Sequence, residues 1–254
     1  MRNKPLILTV CWVSILVLSA CATDKPDVRK REIAWRELGK QYYLAGDYTT
    51  ALKYLLDAEK LYPDDHILQN YLGQVYLSKG KPDLAVEHFK NAIRLKPDYA
   101  VARNNLGVAY LKEEKWDEAI AVFKQVKGDL LYATPHYPLT NIGFAYFKKS
   151  DFKESEKYYL DALALEPNFP PALRGLGRTY VAMGKGAEAV AALSAATDLY
   201  PEFAEAYYDL GEAYVLLKNI PKAKIAFGKV IQLKPGSPEA LEAKRALVKL
   251  QYMR

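Results

Sequence analysis

The feature that most constrains this chain is a sequence pattern that returns every 34 residues. Between Leu72 and Pro97, glycine, tyrosine, alanine, phenylalanine and proline stand at fixed intervals, and polar residues fill most of the gaps. The same pattern returns one period upstream and one period downstream. Such self-similarity is typical of a repeat array, in which each unit buries its apolar face against its neighbours. The sequence therefore predicts one repeat array rather than several independent globular domains.

Six copies align when the glycine is placed at position 8 and a tyrosine follows it three residues later. The repeats are 32–65, 66–99, 100–133, 136–169, 170–203 and 204–237, and their glycines are Gly39, Gly73, Gly107, Gly143, Gly177 and Gly211. A glycine inside a helix costs about 1 kcal/mol relative to alanine, so its recurrence predicts that the two helices of each repeat approach closely. The pattern resembles the tetratricopeptide (TPR) repeat. The resemblance implies an all-α TPR superhelix, an α-α solenoid of six repeats.

The last repeat needs a cover, because each helical pair depends on its neighbour for burial. Ser237 and Pro238 suit an N-cap and a first helical position, and apolar residues then recur with helical spacing as far as Leu250. Residues 238–254 are therefore predicted to form a capping helix and not a seventh repeat.

The N-terminus has the features of a signal peptide. A short basic segment, Met1–Lys4, precedes an apolar run that is too short to span a bilayer as a stable helix and ends in Leu18-Ser19-Ala20-Cys21. These four residues resemble the lipobox of bacterial lipoproteins. The resemblance implies that residues 1–20 are removed and that Cys21 is lipidated. The alternative is that Cys21 is an ordinary small residue beside a conventional cleavage site.

The residues after Cys21 bear on localisation. In lipoproteins of two-membrane bacteria, aspartate after the cysteine tends to retain the protein at the inner membrane, and this chain has Ala22 there. The resemblance thus implies an outer-membrane protein that faces the periplasm. Residues 21–31 are polar and lack a helical apolar stripe, so they are predicted to be a flexible tether.

The period breaks once, because Gly107 and Gly143 are 36 residues apart. Two residues are added near 127–138, and Leu131 replaces the proline found at position 32 of the other repeats. The insertion can belong to a binding face or be merely tolerated, and both interpretations stay open.

The junction sequences Gly128–Tyr132 and Asn141–Gly143, in a lipoprotein with six repeats, resemble the type IV pilus biogenesis and stability lipoproteins, the PilF/PilW-type pilotins. These assist outer-membrane localisation and multimerisation of the pilus secretin.

Helix A of each repeat is predicted to line a concave groove through positions 2, 5, 9 and 12, to which position 6 adds Asn105 and Asn141. Amides there can pair with peptide backbone, aromatics can seat apolar side chains, and arginines can hold carboxylates. We therefore predict a groove that binds a peptide or helix of a partner protein. The alternative is that its aromatic residues are buried between repeats and its asparagines are solvated. The groove residues are Arg36, Lys40, Asn70, Gln74, Asn104, Asn105, Val108, Tyr137, Thr140, Asn141, Phe144, Arg174, Arg178 and Tyr208.

Other function classes find little support in the sequence. The net charge of +6 is modest and well interspersed, which disfavours nucleic-acid binding. The three histidines lack the spacing of metal ligands, and the glycines lie inside helices and not in a phosphate loop. We expect no cofactor, metal or small-molecule substrate, and catalysis is a distant alternative.

The leading hypothesis is an outer-membrane-anchored scaffold for secretin assembly. The broader alternative is an envelope adaptor for peptidoglycan hydrolases or exopolysaccharide export.

Overall fold

The computed structural model describes residues 25–127 and 134–252. All regular structure in these residues is helical, which confirms the predicted all-α class. Two compact units divide the chain, Met1–Pro97 and Asp98–Arg254. No helix in the described part of the chain has both the length and the apolar character needed to cross a membrane.

The first unit contains four described helices. They are α1 (Lys25–Leu44), α2 (Tyr48–Leu61), α3 (His66–Ser78) and α4 (Pro82–Leu95). Its core is formed by small residues of α2 and larger aliphatic residues of α2 and α3, among them Ala51, Leu55, Leu68 and Leu72. Trp35 of α1 packs against this core. The apolar positions therefore meet as the repeat spacing predicts.

The second unit continues the same alternation of helices. Its described helices are α5 (Ala100–Lys112), α6 (Trp116–Lys127), α7 (His136–Lys148), α8 (Phe152–Leu165), α9 (Pro170–Ala182), α10 (Gly186–Leu199), α11 (Ala204–Leu216), α12 (Ile220–Leu233) and α13 (Pro238–Tyr252). Ala243 and Leu250 of α13 are buried in one cluster with Phe227 and Val230 of α12. The C-terminal helix thus covers the last repeat, as predicted.

The repeated glycine lets the two helices of a repeat approach each other. A methyl group added to Gly73 would lie 2.6 Å from the ring of Phe89, and one added to Gly211 would lie 2.6 Å from the ring of Phe227. Such distances are shorter than any van der Waals contact, so a larger residue would force the helices apart. The close approach predicted from position 8 is confirmed.

The start of α1 differs from the sequence prediction. A tether is predicted over residues 21–31, whereas α1 begins at Lys25. Asp27 in the first turn complements the helix dipole, and the Arg29 guanidinium is bonded to Glu32 and Asp65, so this polar segment is held as helix without an apolar stripe. The lipidation site Cys21 and residues 128–133 of the predicted junction lie outside the described residues.

Candidate functional site

Four predicted groove residues lie in the first unit, on α1 and α3. Arg36 is only 9% exposed and Asn70 only 3%, so both belong to the protein interior. Lys40 is half-buried, and its Nζ lies 3.3 Å from Oε2 of Glu37. Gln74 is half-buried. In this unit, Lys40 and Gln74 are therefore the predicted residues that a partner can reach.

Arg36 is held by a buried carboxylate, that of Asp65. Oδ2 of Asp65 accepts hydrogen bonds from Arg36 at 2.7 Å and from Arg29 at 2.6 Å, while Oδ1 accepts from the backbone N–H groups of Ile67 and Leu68. Burial alone would raise the pKa of Asp65, but the Leu68 N–H and the two guanidiniums lower it overall. Asp65 thus caps α3 and joins it to α1. The spacing of Arg36 indicated a face of the helix but not this partner.

Glu32 belongs to the same network and is completely buried. Its Oε2 accepts a hydrogen bond of 2.6 Å from Arg29, while its Oε1 has no hydrogen-bond partner in the described part of the chain. Burial raises the pKa of Glu32, and the charge of Asp65 raises it further. The folded state therefore binds a proton at Glu32 more tightly than the unfolded state does.

We expect Glu32→Gln to raise the free energy of unfolding at neutral pH, because the variant buries no ionised carboxylate. Because its folded-state pKa is raised, Glu32 stabilises the wild type while its carboxyl is protonated, and this stabilisation is lost as pH rises through that pKa. The advantage of Glu32→Gln over the wild type should therefore disappear at about pH 4, below the pKa of an unfolded glutamate. Urea unfolding followed by circular dichroism measures the free energy of unfolding of the two proteins at neutral pH and in acid.

Glu37→Gln is the matched control, because hydrogen bonds from Arg36 and Lys40 lower the pKa of Glu37 despite the opposing effect of burial. This variant should be less stable than the wild type at neutral pH. Equal stability of Glu32→Gln and the wild type at neutral pH would contradict the expectation.

In the second unit, two predicted arginines converge on one carboxylate. Nε of Arg174 lies 2.5 Å from Oδ2 of Asp209, and Nε of Arg178 lies 3.7 Å from Oδ1. Asp209 is 5% exposed, and burial raises its pKa although both guanidiniums oppose the shift. Arg178 also lies over the ring of Phe147 at 4.9 Å. The arginines are thus fixed by contacts within the chain, which orders this face before any partner binds.

Aromatic residues of α7 form a second part of this surface. Tyr137 is 47% exposed, and its ring lies 5.0 Å from that of Phe169. Phe144 is half-buried and meets Trp116 edge-on at 6.1 Å. The hydroxyl of Thr140 donates to the His136 carbonyl at 2.8 Å. Tyr137 is therefore the predicted aromatic residue that offers the most surface to a partner.

The remaining predicted polar residues lie on α5 and α7. Asn104, Asn105, Val108 and Asn141 are all half-buried. Oδ1 of Asn104 is buried and has no hydrogen-bond partner within residues 25–127 and 134–252. A buried amide oxygen without a partner is costly, and because this atom is shielded from solvent, a bound chain could reach it only if the Asn104 side chain rearranged.

A pocket of about 620 Å³ lies between α11 and α13 and includes the predicted residue Tyr208. Its apolar lining includes Val215 and Phe227, and its charged lining residues are Glu212, Glu242, Arg245 and Lys249. Burial raises the pKa of Glu212, and the nearby charges of Asp209 and Glu242 add to the shift. The contribution of α13 to a pocket was not predicted, because its apolar spacing indicated only a cover for the last repeat.

The side chains of the second unit suit the binding of a protein. No group of three or more His, Cys, Asp or Glu side chains that could hold a metal ion occurs in the residues that the structure describes. What the second unit does offer is an apolar pocket, ordered arginines and exposed aromatic surface. These are the features of a protein-binding face.

Comparison with protein families decides the identity of the repeats. Models described as TPR repeat or tetratricopeptide repeat match residues 34–65, 73–113, 102–134, 138–169 and 174–238. The chain is a TPR-repeat protein. The TPR solenoid predicted from the glycine and tyrosine spacing is thereby confirmed. Among curated protein sequences, none matches this TPR-repeat protein significantly.

Solved structures similar to this TPR-repeat protein include PilW, PilF and YrrB. The crystal structure of PilW, a widely conserved type IV pilus biogenesis factor, is 25% identical with a TM-score of 0.76, and the match covers 83% of this chain and 97% of PilW. PilF of Pseudomonas aeruginosa is 19% identical with a TM-score of 0.72, covering 87% of this chain and 99% of PilF, and this similarity concerns the fold alone. YrrB, a TPR protein with an unusual peptide-binding site, shares the fold at 24% identity and a TM-score of 0.55, with coverage of 75% and 97%.

Proposed function

We propose that this TPR-repeat protein is an outer-membrane-anchored scaffold that assists the localisation and multimerisation of a type IV pilus secretin. The observation that carries the proposal is the similarity to PilW, which extends over 83% of this chain and 97% of PilW. The match to PilW covers more of this chain than the match to YrrB does, 83% against 75%, and it has the higher TM-score, 0.76 against 0.55. General TPR similarity alone would not require that closer agreement.

Anchoring is part of the proposal and rests on the sequence. The lipobox-like segment ends at Cys21, and Ala22 follows it. Each buried methylene of an acyl chain contributes about 0.8 kcal/mol, and two or more chains hold a protein durably at a membrane. Such a tether would place the helical array beside an assembling outer-membrane partner and raise its effective concentration there.

The binding face that we propose is in the second unit. The pocket between α11 and α13 would seat an apolar side chain of a partner peptide or helix over Val215 and Phe227. Arg174 and Arg178 are already fixed by Asp209, so little side-chain entropy would be lost when a partner binds next to them. The family models that match are all TPR models, which supports a scaffold rather than an enzyme.

A deletion strain scored for secretin multimers in the outer membrane tests this function. We expect multimers and twitching motility to be lost and to return with the wild-type chain. A chain with Leu216→Glu should restore them poorly, because Leu216 lines the pocket and a glutamate there would stand beside Glu212 and Glu242. Loss of one apolar anchor should weaken secretin capture by about tenfold.

Leu241→Glu is the matched control, since Leu241 is similarly exposed, at 50% against 42% for Leu216, but does not line the pocket. It should restore multimers as the wild type does. Normal multimers in the deletion strain would overturn the proposed function. Equal activity of the two variants would move the binding face away from this pocket.

A further inference from the structure

A second recess lies between α11 and α12, apart from the pocket described above. It has a volume of about 600 Å³, and its apolar residues include Tyr207, Leu210 and Tyr214 of α11 and Ile225 of α12. Ile225 is 74% exposed, although it lies in the middle of a helix. Gly228, Lys229 and Gln232 follow Ile225 by three, four and seven residues, so the four residues form one face of α12 along the recess.

No packing contact among the described residues explains the glycine at position 228. A methyl group added to Gly175 or Gly211 would collide with a neighbouring ring, whereas one added to Gly228 would have no described atom within 4 Å. Glycine weakens a helix interior relative to alanine, and here no neighbouring helix benefits from its small size. A glycine in such a place is explained when another chain approaches the helix closely from outside.

The charge along this recess has one sign. Helix α12 carries Lys222, Lys224 and Lys229 and has no acidic residue. Lys222 lies over the ring of Tyr214, and Lys229 donates to Oε1 of Gln232. Neither ammonium group has an acidic partner among the residues that the structure describes. The two lysines lining the recess thus present positive charge at its edges beside an exposed apolar centre.

We propose that the recess at Gly228 is a docking surface for an amphipathic helix of a partner protein that carries acidic residues beside its apolar face. The absent side chain at Gly228 lets the partner helix pack directly on the backbone of α12, with its apolar residues against Ile225 and Tyr214. Its carboxylates pair with Lys222 and Lys229. This surface is additional to the pocket between α11 and α13 and does not depend on the identity of the partner bound there.

The experiment uses the full chain in phosphatidylcholine nanodiscs, which accommodate any N-terminal anchor. The probe is a synthetic stapled helix with leucines on one face and glutamates at the edges of that face, labelled with fluorescein. Its counterpart carries lysines in place of the glutamates. We expect fluorescence anisotropy to show the acidic helix binding about tenfold more tightly than the basic one. Gly228→Leu should weaken the acidic helix by about tenfold, because the leucine fills the recess.

Two controls separate docking from folding. Gly228→Leu should not lower the thermal midpoint, because leucine is the better helix former and the site is open. Lys222→Glu combined with Lys229→Glu should weaken the acidic helix by about fivefold, whereas Lys224→Glu, a single charge reversal outside the recess, should alter its affinity by less than about twofold.

Three outcomes would overturn the proposal. The first is equal binding of both helices, or binding that Gly228→Leu leaves unchanged. The second is loss of peptide binding when phosphatidylglycerol replaces phosphatidylcholine, which would assign the recess to anionic lipid. The third is an amine-reactive cross-link that joins two chains through Lys229 without peptide, which would assign it to a second copy of this chain.

Discussion

Replacing Gly175 with alanine should lower the free energy of unfolding by about 1–3 kcal/mol, the usual cost of forcing extra atoms into a packed core. A methyl group at this position would lie 2.2 Å from Cζ and 2.3 Å from Cε1 of Tyr159. Tyr159 is 3% exposed and cannot swing into solvent. The ring also faces Gly143, where a methyl group would lie 3.1 Å away, so it is held from both sides.

The pairing of Tyr159 with Gly175 explains why this repeat needs a second helical glycine. Tyr159 is at position 24 of the fourth repeat, and Gly175 is at position 6 of the fifth repeat. In every other repeat, position 24 is phenylalanine or leucine and position 6 is a residue larger than glycine. Only Tyr159 adds a hydroxyl at position 24, and only Gly175 is reduced to a hydrogen at position 6. The larger Tyr159 side chain therefore occupies the space that a side chain at position 175 would fill, which conserves the packing density.

Urea unfolding of the full chain measures the effect, and Gly228→Ala is the matched control. It makes the same substitution within a helix but at a site where the methyl group meets no described atom, so it should stabilise the protein slightly. Tyr159→Leu should remove most of the cost of Gly175→Ala, since the ring is then absent. An undiminished cost in the double variant would mean that Tyr159 is not the residue displaced.

The sequence was most informative where the repeat imposes one packing solution. Gly73 and Gly211 each oppose a ring at position 24 of the same repeat, and this follows from their recurring spacing alone. Because the same interaction recurs in six repeats, a departure in one repeat does not obscure the pattern, and helix order and the approach of paired helices could be predicted. The family match and the helix bounds agree with the predicted order of helices.

The site was less predictable, because the partners of its charged residues stand far away in the sequence. Arg36 bonds Asp65 across 29 residues, and Arg174 bonds Asp209 across 35 residues. Helical spacing gives the face of a helix on which an arginine lies, but it does not distinguish a groove residue from one that reaches the next helix A. Both carboxylates occur once and outside the repeating pattern, so no periodic signal marks them.

Asp65→Ala should cost about 3 kcal/mol or more in the first unit, because it removes an N-cap and leaves the guanidinium of Arg36 buried without this carboxylate. Four hydrogen bonds end on the Asp65 carboxylate, two from guanidiniums and two from the backbone of α3. Arg29 is 39% exposed and can turn to water, whereas Arg36 is enclosed. Most of the loss therefore comes from Arg36 and the end of α3.

The effect of Asp65→Ala should depend on pH in a defined direction. The pKa of Asp65 is lowered in the folded protein, so its stabilisation is complete above the pKa of an unfolded aspartate and is lost as pH falls through the folded value. The wild type and Asp65→Ala should thus converge in acid. Fluorescence of Trp35, which packs against the core of the first unit, reports the unfolding of that unit when Trp12 and Trp116 are replaced by phenylalanine.

Asp47→Ala separates the cap from the ion pairs. Asp47 caps α2 by accepting a hydrogen bond of 3.0 Å from the N–H of Thr50, but it is exposed and bonds no guanidinium. Loss of this cap alone should be clearly less costly than loss of Asp65, because no buried charge is left behind. If the two variants were equally destabilised, the ion pairs of Asp65 with Arg29 and Arg36 would contribute nothing to the stability of the first unit, and the N-cap would account for the whole effect.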